Sequence, residues 1–352
     1  MKRFKKGDCL HMKKATIIDV AKSAGVSIGT VSRVLNNKKV TPLTKEKVEN
    51  AITHLNYHRN DAARNLRTNR SKAFAFIVSD ISNVTFSTIA KSLSDVLDGF
   101  GYSLILYNIG TDNIESKLER FFAARSVDGA FLVIGEEKNT KIINILNDLD
   151  IPLLIFDRQI DCDAADFIFS DYYNGIRQAT EHLISLGHES IGFITGSLDI
   201  YPAREGLRGY RDALKLNDTP MDESLIKTGS FTHEFGAKAT ESLISKIKNN
   251  EMTALITGGS PVLAGVLKTL QKDNIHLNRD LSIVSFEDTE ITQIMSITAI
   301  RRPLHDVGAK TAYSLINRLR QNSQGNDNTS SLVLPTELII RSSSGQNNTL
   351  AK

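Results

Sequence analysis

Residues 16–37 read TIIDVAKSAGVSIGTVSRVLNN, two short apolar patterns at helical spacing joined by Ala-Gly-Val-Ser. Thr16 precedes Ile17, Val20, Ala21 and Ala24, with Asp19 three residues beyond it, the arrangement of a capping box followed by one apolar helical face. The spacing predicts a first helix from about Ile17 to Ala24. Gly25 suits the left-handed conformation that ends such a helix, Val26 the corner, and Ser27 the cap of a second helix from Ile28 to about Leu35. In that second helix Val31, Val34 and Leu35 face inward, leaving Ile28, Gly29, Thr30, Ser32 and Arg33 for the outer surface or its edges. Thr44 is expected to cap a third pattern, Val48, Ala51, Ile52 and Leu55, ending near Tyr57. Three short helices around one small core, the second with a cationic outer edge, describe a helix-turn-helix unit able to enter a major groove.

The charge distribution agrees with that reading. Residues 1–70 carry 16 Lys or Arg against 5 Asp or Glu, a balance of +11, whereas the rest of the chain carries 27 against 35, a balance of −8. The net charge of +3 conceals this division. At 352 residues the chain has room for two or three domains, and 41% hydrophobic with 24% charged residues is a soluble globular composition, neither collagenous nor wholly disordered. Cys9 and Cys162 lie too far apart in sequence to suggest a disulfide framework or a metal site, as suits a reducing compartment. The opening MKRFKKGDCLHMKK is basic without the apolar core of a signal peptide, and no run approaches eighteen apolar residues. A cytoplasmic location with no membrane partner is the expectation. Residues 1–12 read as a tail or a misassigned start, with Met1 and Met12 both open as the initiator.

After Ser71 the texture changes. AFAFIVSD, YSLILYNI, DGAFLVIG, PLLIFDR and ADFIFSD are short apolar runs separated by helical patterns such as Ile89 to Leu97 and Ile142 to Leu149. SIGFITG, TALITGG and LSIVSFED continue the series, with helical stretches at 176–186, 203–214, 236–247 and 262–270. Near-continuous apolar strands alternating with helices indicate parallel sheets covered on both faces, and two series suggest two Rossmann-like subdomains with a ligand between them at the strand C-termini. No GxGxxG follows the first strand, and no HExxH or Walker motif occurs, so no catalytic residue, cofactor or metal is assigned. His182 and His188 flank a helix-to-strand turn and read as structural.

TIIDVAKSAGVSIGTVSRVLNN, the stretch from Thr44 to Tyr57 and NDAARNLRTNRS together resemble the LacI/GalR family of bacterial transcriptional regulators. FDR at 156–158, LISLGHESIGFITG at 183–196, AREGLRGYRDAL at 203–214, DLSIVSFEDTE at 280–290 and RRPLHDVGAKTAYSLINRL at 301–319 follow in the family order. The resemblance implies a small all-α helix-turn-helix domain followed by an α/β periplasmic-binding-protein-like domain made of two Rossmann-like subdomains. Expected boundaries are 13–58 for the DNA-binding domain, 59–71 for a hinge helix, 72–342 for the effector and dimerisation domain, and 343–352 for a polar tail. Within the larger domain, subdomain 1 is placed at about 72–172 and 301–330, and subdomain 2 at about 173–300 and 331–342. Residues 321–331 read as an exposed loop.

The same resemblance implies which residues serve. Leu66 matches the leucine that each of two subunits places in the minor groove, with Arg64, Arg67 and Arg70 beside it for phosphates; an apolar wedge flanked by cations is what minor-groove kinking requires. Arg59 stands where relatives often have proline. Thr30, Ser32 and Arg33 fall on backbone and base contacts, Ile28 and Gly29 on positions that vary with the operator, and Thr16, Ser27 and Asn36 complete the DNA-facing set. For the effector the matching positions are Phe86, Asp157, Arg158, Arg204, Phe231 and Glu287. An Asp157 carboxylate at a strand end suits two sugar hydroxyls, or equally a turn cap, and Phe231 offers a flat apolar face. Gly206 replaces a common arginine, Gly259 and Ser260 a common Asn-Asp pair, and Glu287 a common aspartate, so the effector is not held quite as a simple galactoside or a purine is.

The expected function is sequence-specific repression by a homodimer on a pseudopalindromic double-stranded operator, controlled by a small polar metabolite of carbohydrate type. Two other readings remain open: a cytoplasmic ligand-binding protein or enzyme with an accessory DNA module, and a regulator controlled by a protein partner.

Overall fold

The structure, a computed structural model, describes residues 15–36, 38–57, 70–124, 127–321 and 329–347. The chain forms two compact units that part between Arg70 and Ser71. In the first, α1 (Ile17–Ala24), α2 (Ile28–Leu35) and α3 (Pro42–His54) surround a core of Val20, Ala21, Ala24, Val31, Val34, Val48 and Ala51, with Val26 packed at its edge. The capping box forms: Thr16 N and Oγ1 donate to Asp19 Oδ2 at 2.8 and 2.7 Å, and Asp19 N donates to Thr16 Oγ1 at 3.4 Å. Gly25 takes φ +63°, a left-handed turn that admits a residue without Cβ at little cost. The third helix begins earlier than its apolar pattern suggests. Thr41, not Thr44, is the cap, its Oγ1 accepting from Thr44 N at 3.3 Å, because Pro42 occupies the first turn, where its missing N–H leaves no bond unmade.

The second unit holds two six-stranded sheets. β1 (Ala73–Val78), β2 (Ser103–Asn108), β3 (Ala130–Val133), β4 (Leu153–Phe156), β5 (Ala165–Ser170) and β11 (Ser331–Leu334) form the first, in the order β11-β5-β4-β3-β1-β2 and all parallel. β6 (Ile191–Thr195), β7 (Ile226–Thr228), β8 (Ala254–Thr257), β9 (Ser282–Phe286), β10 (Thr298–Arg301) and β12 (Glu337–Ile339) form the second, in the order β12-β10-β9-β8-β6-β7, with only β10 and β12 antiparallel. Alternation along β1 shows why its run is apolar throughout. Phe74, Phe76 and Val78 meet α4 (Val84–Gly99) and α13 (Leu304–Gln321), while Ala75 and Ile77 meet α5 (Ile114–Ala124) and α6 (Thr140–Asn147). The second sheet is covered in the same way, by α7 (Tyr172–Ser185) and α8 (Tyr201–Leu216) on one face and by α9 (His233–Glu241), α10 (Ile244–Lys248) and α11 (Ser260–Lys272) on the other. A short α12 (Glu290–Ile294) precedes β10.

The chain passes between the sheets three times: after β5, after β10, and between β11 and β12. The last passage differs from the expected boundary at 331. Residues 331–334 still belong to the first sheet, Leu332 lying beside Ile168, because a parallel partner on β5 satisfies their backbone before the chain turns back to β10. The expected polar tail also needs correction. Ser343 and Ser344 are buried: Ser343 Oγ donates to Ile283 O at 2.7 Å and accepts from Thr298 N at 2.8 Å, and Asn347 N donates to Leu186 O at 2.9 Å. Serine and asparagine here close backbone bonds at the end of the second sheet, so their polarity does not signal exposure. Of the loop expected at 321–331, residues 322–328 lie outside the described residues, and Ser331 opens β11.

Candidate functional site

On the first unit, burial of Val31 and Val34 turns the opposite face of α2 outward. Ser27, Ile28, Gly29 and Arg33 are exposed, and Thr30, Ser32 and Asn36 half-buried. Ile28 keeps 47% of its surface, an apolar side chain offered to solvent at the first turn of α2. Several of these groups already serve the helix. Ser27 Oγ accepts from Thr30 N at 3.2 Å and lies 2.9 Å from Thr30 Oγ1, while Asn36 Nδ2 donates to Ser32 O at 2.7 Å. Thr16 is exposed at the start of α1 in its capping box. Arg70 is half-buried, whereas Arg59, Arg64, Leu66 and Arg67 lie outside the described residues.

In the second unit, β4 and β9 end alike. Phe156 leads to Asp157 at φ +50° and Phe286 to Glu287 at φ +89°, and each acid donates its N–H to the neighbouring strand at 2.9 Å, Asp157 to Ile168 O and Glu287 to Ile300 O. A left-handed conformation at a non-glycine residue costs on the order of 1–3 kcal/mol and is held here by those bonds at the mouths of the two sheets. Five of the six expected effector residues, Phe86, Asp157, Arg158, Phe231 and Glu287, line the cleft between the sheets. The space they enclose is about 120 Å³, small beside the roughly 300–1,000 Å³ of ordinary small-molecule sites.

The cleft is small because its own side chains fill it. Asp157 Oδ1 accepts from Ser170 N at 2.6 Å, and Oδ2 from Tyr172 Oη at 3.0 Å and Arg302 Nη1 at 2.8 Å. Arg302 Nη2 donates to Glu287 Oε1, which also accepts from Thr85 Oγ1 at 2.5 Å, and Glu287 Oε2 accepts from Ser260 Oγ at 2.5 Å. Arg158 donates from Nε to Ile134 O at 2.6 Å and from Nη1 to Asp157 O at 2.7 Å. Burial pushes the Asp157 carboxyl above its usual range, against the pull of the Arg302 charge, and burial lowers Arg158. The Tyr172 hydroxyl is pushed up by burial as well, so it donates as a neutral phenol. Tyr172 stacks on Phe286 with centroids 4.3 Å apart and planes at 11°.

Arg204 is the exception among the expected effector residues and does not line this cleft. Its Nη2 donates to Glu137 Oε2 and Gln159 Oε1, each at 3.0 Å. Glu137 is almost wholly buried because its Oε1 takes the first N–H of α8, from Tyr201, at 2.7 Å, which draws Arg204, one turn further on, toward the same carboxylate. Gly196, Gly206 and Gly259, the last two departures from the family pattern, have physical partners. A Cβ at Gly196 would come within 2.1 Å of the Phe231 ring and one at Gly259 within 3.3 Å, so the two glycines make room for the phenylalanine. Gly206 faces inward, a Cβ there meeting Ile176 and Phe193 at 3.4 and 3.5 Å.

Sequence reasoning missed Arg302, Tyr172, Ser170 and Thr85. Arg302 was readable only as half of an Arg-Arg pair before proline; strand alternation is the signal, since the Arg301 side chain leaves 51% of its surface to solvent and that of Arg302 4%. Among the described residues no group of His, Cys, Asp and Glu is arranged to hold a metal, and no helix is long and apolar enough to cross a membrane.

A model of bacterial regulatory proteins of the lacI family matches residues 16–60, and one of a periplasmic binding protein-like domain matches 180–344. Catabolite control protein A of Staphylococcus xylosus is 31% identical over 300 residues, 84% of this chain and 89% of that protein. The HTH-type transcriptional repressor PurR of Vibrio atlanticus is 31% identical over 313 residues, 87% of this chain and 92% of its own. Among solved structures, the Lac repressor dimer bound to operator and the anti-inducer ONPF superposes with a TM-score of 0.79 at 26% identity, covering 95% of this chain and all of that one. A complex of the transcriptional regulator CelR with cellobiose gives 0.69 at 27% identity over 94% of this chain and all of its own.

Proposed function

The chain belongs to the lacI family of bacterial regulatory proteins, and on that premise we propose how its own residues divide the work of a DNA-binding transcriptional regulator. A homodimer sets two copies of α2 in successive major grooves of a pseudopalindromic operator, Ile28 and Arg33 toward base edges and Ser27, Thr30 and Ser32 toward the backbone. Thr16 and Asn36 flank that surface, and Arg64, Leu66, Arg67 and Arg70 form the hinge contact. A hydroxyl-rich metabolite of carbohydrate type enters between the sheets, where Asp157, Glu287 and Arg158 offer polar groups and Phe86 and Phe231 apolar walls. Arg204 stands beside that entrance paired with Glu137. The regulator represses, and the metabolite sets its affinity for the operator. In this reading the domains run 13–58, 59–71 and 72–342.

The observation that carries the reading is the outward face of α2, built over a capped core in a segment with a balance of +11. Each phosphate neutralised releases condensed counterions, so operator affinity falls linearly on a logarithmic salt scale with a slope of about −0.9 per phosphate contact. Titration of purified protein on an operator mapped from its own genome, over a salt series and with the stoichiometry measured, tests this. Two subunits per operator and a steep slope are expected; a flat salt response or a single bound subunit would overturn it.

A further inference from the structure

The guanidinium of Arg302 lies between two carboxylates that belong to different sheets. Asp157 ends β4 of the first sheet and Glu287 ends β9 of the second, and Arg302 follows β10 at the second passage of the chain between them. Its Nη1 donates to Asp157 at 2.8 Å and its Nη2 to Glu287. Thr85, near the start of α4 on the first sheet, donates to the same Glu287 at 2.5 Å, a second link across the cleft. The side chain of Arg302 is 4% exposed, and its charge is surrounded by the rings of Phe156, Tyr172 and Phe286, with centroids 5.4 to 5.8 Å away. Its Nε, fully buried, has no hydrogen-bond partner among the described residues.

An arginine enclosed in this way occupies the place of a small molecule. It offers donors to two acids, presents a flat face to aromatic rings, and spans the gap between two bodies that a ligand would otherwise join. Buried ion pairs of this kind add little stability over apolar packing, whereas removing one member leaves the others charged and unpaired. Their effect is on which arrangement the two subdomains adopt.

We propose that Arg302 is an internal ligand of the cleft, a tethered guanidinium that bridges Asp157 and Glu287 and holds the two subdomains closed in the absence of any small molecule. The proposal rests on the reading of this cleft as the effector site, and it adds the chemistry of entry. An effector exchanges its own hydroxyl or amine donors for those of Arg302 at the two acids, and brings an oxygen acceptor to the orphaned Nε. A ligand that carries only acceptors, or that is anionic at the end facing Asp157 and Glu287, is excluded, because it replaces neither the charge nor the donors that Arg302 withdraws from the two carboxylates.

The test needs no identified effector. Arg302→Ala removes the bridge and leaves a space with the shape of its end group, into which ethylguanidinium fits. Small-angle scattering of the ligand-free protein is expected to give a larger radius of gyration for Arg302→Ala than for wild type. Millimolar ethylguanidinium should restore the wild-type value, ethylammonium should not, since a point charge cannot span both acids, and wild type should respond to neither. A purely structural arginine would give a destabilised variant indifferent to the choice of cation. An unchanged radius of gyration, or equal responses to both cations, overturns the proposal. Should Arg302→Ala not fold, the triple variant Asp157→Asn, Glu287→Gln, Arg302→Met removes all three charges together; a wild-type radius of gyration for that variant would likewise overturn it, and an expanded one supports it. If no metabolite ever altered operator binding while the ethylguanidinium response persisted, the effector reading would fail and the bridge would stand, so the two failures are distinguishable.

Discussion

Arg33 and Ile28 sit on the same outward surface of α2 yet are suited to different tasks. A guanidinium can donate two parallel bonds to guanine, whereas an exposed isoleucine can only meet a thymine methyl or be excluded by its absence. Because Arg33 is exposed, its replacement leaves the small core of Val20, Val31 and Val48 intact. Arg33→Ala should therefore relax discrimination at one base pair by about 1–3 kcal/mol. Arg70→Ala should weaken operator and random DNA nearly alike. Titrations of both variants on the operator and on singly substituted operators decide the matter, and equal changes in sequence preference would refute the division. At this scale the site was partly legible. Asp157 and Glu287 were named from the family resemblance, which gave no sign of their partner Arg302, whose bond to Asp157 joins residues 145 apart in sequence.

At the scale of elements, the segment 343–347 behaves as part of the second sheet's support. His188 Nε2 lies 3.0 Å from Gly345 O, and since a carbonyl only accepts, that nitrogen carries the proton and Nδ1 accepts from Thr253 Oγ1 at 2.9 Å. His182 Nε2 lies 2.9 Å from Ser344 Oγ in the same region. Burial lowers both imidazoles below the ordinary histidine value of about 6.5. In the unfolded chain they take up protons first as pH falls, so their contribution to stability is complete above about 6.5 and declines below it, toward the lower folded-state values. Thermal unfolding followed from pH 7.5 to 5.5 should show this loss, with His188→Gln less stable at pH 7.5 and less sensitive to acid. The protection of the amides at 343–347, taken relative to their intrinsic exchange at each pH, should fall in parallel. A pH response identical in the two proteins would count against His188 as the titrating group.

For the whole molecule, a regulator needs two arrangements that its ligands distinguish. A metabolite that bound both equally would leave operator affinity unchanged however tightly it bound. Linkage then makes a symmetric demand: the factor by which a metabolite changes operator affinity must equal the factor by which operator changes metabolite affinity. Couplings of this kind are typically about 1–3 kcal/mol, or roughly 5- to 150-fold. A metabolite screen by calorimetry, repeated with the protein saturated by operator, measures both sides. A factor of one on both sides would mean that the metabolite acts at a place unconnected with DNA binding. The passages of chain after β5, after β10 and between β11 and β12 are the covalent routes between the two sheets; residues 172 and 302 of the cleft network lie on the first two, and Ser170 closes β5 just before the first.

The helix-turn-helix unit was determined by the sequence itself, because everything that specifies it is local. Thr16 and Asp19 close a capping box three residues apart, Gly25 permits the left-handed turn, and the apolar positions repeat within one or two helical turns. Strands β1, β3, β4, β6, β8 and β9 were equally legible, since burial on both faces writes an uninterrupted apolar run, and β2 and β5 read as apolar runs although part of their surface is exposed. Only the tertiary structure decided the rest. β7, β10, β11 and β12 are no longer than β3 and β4 but each carries a polar or charged residue at one end, Thr228, Arg301, Ser331 and Glu337, and they exist because a neighbouring strand supplies their hydrogen bonds. Ser343 and Ser344 read as tail until distant backbone groups bury them, and Arg302 reads as surface until two acids from separate sheets enclose it. A polar side chain announces its chemistry in the sequence; whether that chemistry faces water or a buried partner depends on contacts that only the folded chain creates.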